Sequence, residues 1–263
     1  MINLHERLSE FSYGYGVTRE MERRLAAAGV HVTPFLPSLL HEASLGFDVA
    51  FAGPGQVVML QFKLGQQLSR FRRLHPTESI PALQKPFWRY FVDVDEHQFL
   101  RLEEFENQGA DVFYVAPRFS SWSTYEAAFH ASAVLQRSLM LRPSQIRLGA
   151  AGVPGEHRIV YDRVSRYVCS EPRAIAEVRP DEAVEKVAVR AREGPPLLAQ
   201  LERMVSRQRT AELPRVSRPR QQDLRSRART PADGLAAEIG LEAWLQGAQV
   251  LFVTPAQGLS VGS

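Results

Sequence analysis

The 263-residue chain is 44% hydrophobic and 23% charged, with a formal net charge of +3. That balance can bury a core and excludes a collagen-like or highly charged disordered chain. One cysteine, Cys169, excludes an intrachain disulfide and a multi-cysteine zinc site. No apolar run reaches the ~18 residues of a spanning helix, and the N-terminus lacks the basic-then-apolar pattern of a secretory signal. The expectation is a soluble cytoplasmic protein with no membrane contact.

In chain order, "SYGYG" near the start reads as a mobile loop carrying exposed rings. Thr18 as N-cap, with Met21 and Leu25 on one face and Gly29 as stop, predicts a first helix over residues 18–28. Pro34 and Pro37 lead to a short helix or turn ending at Gly46, and strands are predicted over 47–52 and 57–63. Leu64, Leu68, Phe71 and Leu74 recur at helical spacing and predict a helix inserted within 64–86. Arg70, Arg72 and Arg73 on it are nucleic-acid contacts or simply a solvated face.

A strand over 87–94 is followed by a helix opened by an Asp95–Gln98 capping box and closed at Gly109, then by a strand over 111–116. That spacing predicts a parallel crossover within one sheet. Residues 123–141 read as helical, "SQIRLG" and "EHRIVYDR" as a hairpin, and Cys169 as buried and inert. Two helices over 181–208 split at Pro195-Pro196, and a helix and strand near the end are expected to dock on the core. Between them, residues 207–229 hold eight Arg against Glu212 and Asp223, the composition of a linker or a phosphate-binding arm. The expected organisation is a core over 1–175, a helical segment over 176–209, a linker over 210–233 and a C-terminal helix-strand over 234–263.

Chemistry concentrates in "LGFDVAFAGPGQVVMLQFK", residues 45–63. Side chains alternate along strands, so Gln61 and Lys63 share one face of the second strand. Closing the hairpin about Pro54-Gly55 sets Asp48 opposite Gln61 with Lys63 diagonal to it. Asp48, Gln61 and the Phe62 carbonyl form an oxygen donor set for a hard cation, Mg²⁺ with Mn²⁺ as substitute. Lys63 beside it would orient a water or offset a phosphate. The plain alternative is a solvated edge hairpin whose Asp–Lys pair is worth little.

Asp, a turn and then Gln-x-Lys resembles the PD-(D/E)XK, restriction-endonuclease-like nuclease superfamily. The likeness is to the Gln variant of Mrr-like type IV restriction and other prokaryotic defence nucleases. It implies an α/β fold whose core runs helix, three antiparallel strands, helix, strand, here over roughly 18–116, followed by an α+β C-terminal extension. It also implies Asp48 and Gln61 as metal ligands, Lys63 as catalytic lysine, and a Glu from the first helix region. Glu20, Glu22 and Glu42 compete for that place, and Glu42 is nearest Asp48 in sequence. The implied activity is metal-dependent DNA hydrolysis in anti-phage defence or DNA processing, RNA not excluded, with a homodimer or a partner protein supplying targeting. The runner-up is an inactive nuclease-like scaffold that binds nucleic acid or a partner.

Overall fold

The computed structural model describes residues 8–35, 53–73, 78–169, 171–210 and 230–256. These form a mixed α/β chain of two sheets and seven helices. None of those helices is long and apolar enough to cross a membrane. Two compact units divide the chain. The first comprises Met1–Glu20, Leu60–Glu106 and Val112–Pro180; the second comprises Met21–Met59, Asn107–Asp111 and Asp181–Ser263.

Helix α1 (Glu10–Ala27) starts well before Thr18 and runs straight through "SYGYG". Tyr13, Val17, Met21 and Leu25 recur every four residues and are all buried, which is the apolar stripe that drives the helix. Glycine inside a helix costs about 0.5–1 kcal/mol relative to alanine, so Gly14 and Gly16 read as a loop. Both are there for close approach. A Cβ on Gly14 would lie 2.7 Å from the Phe62 ring, and one on Gly16 would lie 2.8 Å from the Tyr125 hydroxyl. Gly14→Ala and Gly16→Ala should each lower stability by about 1 kcal/mol, because overpacking outweighs the gain in helix propensity. Urea unfolding of the two variants checks this.

In the first unit, the ends of β2 (Gln56–Phe62) and β5 (Asp111–Pro117) lie side by side, and Lys63 N–H donates to the Val115 carbonyl at 3.0 Å. β6 (Ser138–Leu141) pairs antiparallel with β5. The second sheet has the order β3 (Gln66–Leu68), β4 (Phe87–Asp93), β7 (Glu156–Tyr161), β8 (Arg166–Cys169), β9 (Pro172–Ala174). Its described pairings are all antiparallel.

Several expectations are corrected here. β4 and β5 are not joined by a crossover within one sheet, because β4 is flanked by β3 and β7. Helix α2 (His97–Asn107) therefore links two sheets. Among the described residues of 64–86 the expected helix is absent: β3 is followed by non-helical chain. Leu68 and Phe71 pack on Phe87, Val160 and Cys169, so their spacing arises from a turning extended chain. Gly65 lets that chain approach Tyr161 and Trp88, where a Cβ would clash.

The helix expected over 123–141 stops early. α3 (Trp122–His130), capped by Ser121, gives way to β6. "SQIRLG" is not a hairpin arm but lies in helix α4 (Pro143–Ala150), with Pro143 in its first turn and Ala151 in the left-handed conformation at its end. Two apolar residues in a short run carry too little periodicity to tell strand from helix. Asp95 meets the Gly155 N–H and Arg147, and α2 begins two residues later, at His97.

The second unit matches the sequence reading more closely. α5 (Pro180–Glu193) and α6 (Leu197–Thr210) are separated around Pro195-Pro196. α7 (Pro231–Leu245) opens on a Thr230–Asp233 capping box and leads into β10 (Ala248–Pro255). β10 lies between the start of β2 and β1 (Val30–Phe35), pairing antiparallel with β1. β1 was not expected. Pro34 hides it, and proline is tolerated there because β1 is an edge strand. Buried Asp111 accepts from Arg190 Nη1 at 2.9 Å and Gln56 Nε2 at 2.8 Å, so its charge is compensated on two sides.

Cys169 is buried in β8, and burial pushes its thiol up to about 11. At pH 8 that leaves about a hundredfold less thiolate than an ordinary cysteine has. Alkylation of the native protein should be slower by about that factor than alkylation in urea, which mass spectrometry can follow.

Candidate active site

The end of β2 brings together side chains from three elements of the first unit. Gln61 is buried, and its Nε2 donates to the Phe62 carbonyl at 3.2 Å. Its Oε1 is buried with no hydrogen-bond partner. A buried acceptor left unpaired costs about 1–3 kcal/mol, so this oxygen is held ready for a donor or a cation. Lys63, half-buried, donates from Nζ to Gln98 Oε1 in the first turn of α2 at 3.2 Å.

Glu10, in the first turn of α1, supplies a negative charge that feels the Lys63 ammonium. The residue is exposed, yet neighbouring atoms shield its carboxyl, and the lost hydration raises it above the ordinary glutamate range. The Lys63 ammonium works in the opposite direction. Phe62 points to the other face of β2, its ring meeting Tyr13 edge-on at 6.0 Å and covering Gly14. On β5, Tyr114 stacks on Phe99 of α2, and its buried hydroxyl has no partner. Dehydration, then the Glu96 and Glu103 charges, hold that hydroxyl protonated well above its usual range.

Of the residues chosen from sequence, Gln61, Phe62 and Lys63 lie here, while Asp48 and Glu42 fall outside the described residues. Glu20 is buried and accepts from the Leu135 N–H at 2.9 Å, and Glu22 lies two residues beyond it on α1. Glu10 was missed because the helix was started at Thr18. Its signal was present in the sequence as an acidic residue at the helix N-terminus, three residues before a buried Tyr13. Arg70, Arg72 and Arg73 are exposed and non-helical, and the Arg72 carbonyl accepts from Arg158 at 3.0 Å.

Among the described residues, no three His, Cys, Asp or Glu side chains cluster. No family model matches the chain, and neither a curated protein nor a solved structure does.

Proposed function

We propose that the protein is a metal-dependent nuclease hydrolysing phosphodiester bonds of DNA or RNA, with its site at the end of β2. The observation that carries this reading is the Lys63 ammonium and the unpaired Gln61 oxygen at the end of β2, with the Glu10 carboxyl of α1 in the field of that ammonium. The order α1, β2, α2, β5, with β2 beside β5, supports a restriction-endonuclease-like core in which β3 and β4 are an insertion.

The donor set is oxygen-only: Gln61 Oε1 and Glu10, with Asp48 as the further ligand that the resemblance implies, would suit Mg²⁺ or Mn²⁺. Such a cation, when bound, supplies positive charge to the phosphate and an acidified water. Lys63 holds its ammonium against the scissile phosphate, where it offsets the charge that grows in the transition state. Gln98 fixes the direction of that ammonium. Glu10, whose carboxyl feels the Lys63 charge, accepts a proton from water at its carboxylate. A role in anti-phage defence or DNA processing belongs to the same proposal, on the resemblance alone.

The test is incubation of plasmid, single-stranded DNA and RNA with Mg²⁺ or Mn²⁺, comparing the wild type with Lys63→Ala and Asp48→Ala. Metal-dependent cleavage lost in both variants supports the site. Equal cleavage in all three would refute it.

A further inference from the structure

Beside this site, on the outer face of the first unit, aromatic rings lie where a folded protein would normally bury them. Phe11 is 86% exposed, Tyr15 59% and Trp122 42%. On α1, Phe11, Tyr15 and Arg19 recur every four residues and so form one stripe. On α3, Trp122, Tyr125 and Phe129 form the facing stripe. The two are knitted into one surface. Tyr15 stacks on Phe129 at 6.0 Å between centroids and 29° between planes, and the Arg19 guanidinium lies 4.4 Å over the same ring. Trp122 leans on Tyr125 at 5.3 Å, and the Tyr125 hydroxyl is anchored on the Ser12 carbonyl. Gly16 is what lets the Tyr125 ring reach α1.

We infer that this surface binds the unpaired bases of single-stranded nucleic acid and feeds the strand to the Lys63 site. The inference names the substrate class for the activity proposed above and rests on that reading. Its chemistry is that of a stacking platform. Exposed π faces take any base, whereas the bases of a duplex already cover one another and offer no face to a ring. The composition favours bases over a protein partner, because the exposed large residues of the patch are all aromatic. Exposed aliphatics such as Leu148, Val153 and Val164 belong to α4 and to the loops beside β7 instead. Arg19 provides a cation for phosphates, against Glu126 on α3 and Glu10 at the site itself. The patch adjoins the candidate site through α1, whose Tyr13 ring meets the Phe62 ring, next to Lys63 in the chain, at 6.0 Å.

The test is fluorescence anisotropy of short labelled oligodeoxythymidine and oligoribouridine, in EDTA so that nothing is cleaved, with full-length wild type and Lys63→Ala. Abasic oligomers of the same length and a blunt duplex serve as comparisons. The expected result is binding by both proteins, weakened about tenfold or more when the bases are removed. Tyr15→Ala and Trp122→Ala should each weaken it by about tenfold, and Tyr15→Phe and Trp122→Phe should restore it. The DNA and RNA arms show which sugar is preferred.

Equal affinity for abasic and native oligomers would overturn the inference, as would wild-type affinity in the alanine variants. A patch that instead holds a second copy would appear as a dimer by light scattering that Phe11→Ala and Tyr15→Ala convert to monomer, and that too overturns it. Binding that survives while the protein cleaves nothing would refute the nuclease reading and leave the base platform standing.

Discussion

Lys63→Ala should lower metal-dependent cleavage by about a hundredfold or more, the usual loss when one charge-stabilising or proton-handling group is removed. Little stability should go with it, since Lys63 is only half-buried and its one side-chain bond is to Gln98. Glu10→Gln separates the roles further. Dehydration raises the Glu10 carboxyl, and a raised carboxyl contributes stability that is lost as pH climbs through its folded pKa. At neutral pH the ionised group is therefore a small burden on the fold, and Glu10→Gln should melt no lower than the wild type. Its activity should nonetheless fall. If the ionised carboxylate is the working form, wild-type cleavage should switch on above the ordinary glutamate range, and Glu10→Gln should remove that acidic limb. A pH–rate profile with melting curves for both variants checks all of this. An unchanged acidic limb in Glu10→Gln would show that another group sets it.

Glu78→Ala should be the most destabilising substitution in the first unit, at about 3–5 kcal/mol and roughly 10 °C in melting temperature. Its carboxylate pairs with Arg158, and the two side chains are 4% and 3% exposed. Arg158 lies on β7 opposite Cys169, and its guanidinium covers the Phe71 ring. Loss of hydration already pulls that guanidinium below its ordinary range. Without Glu78, a buried cation would be left with the Arg72 carbonyl and a ring face. The double variant Glu78→Leu, Arg158→Met tests the cause. Two apolar side chains of similar size satisfy the same space without any charge to dehydrate, so the double variant should recover most of the loss. If it is as unstable as Glu78→Ala, packing rather than stranded charge is responsible.

The two experiments probe opposite ends of one design. Burial is tolerated at Arg158 because a carboxylate meets it. At the end of β2 the corresponding satisfaction is incomplete. Gln61 Oε1 is buried and unpaired, and the Glu10 carboxyl has lost part of its hydration. Stability and reactivity thus draw on the same electrostatics, and they diverge on whether a partner is present.

What the sequence determined by itself is whatever depends on local period and end signals. The apolar run of β2 ending in Gln61-Phe62-Lys63 was legible, as were α5 and α6 split at Pro195-Pro196, the closing α7–β10 pair and the burial of Cys169. Each is written in spacing, prolines, glycines or composition within a few residues. Only the tertiary structure decided the rest, because it depends on chain segments far apart. Gly14 and Gly16 read as loop residues until the Phe62 and Tyr125 rings were found against them. Starting α1 at Glu10 then set that carboxyl within the field of the Lys63 charge. β4 joined the second sheet because β7, some seventy residues on, supplies its partner edge. A strand's sequence states which faces it can bury, but its neighbour is chosen by the segment that completes its hydrogen bonds, and no local pattern names that segment.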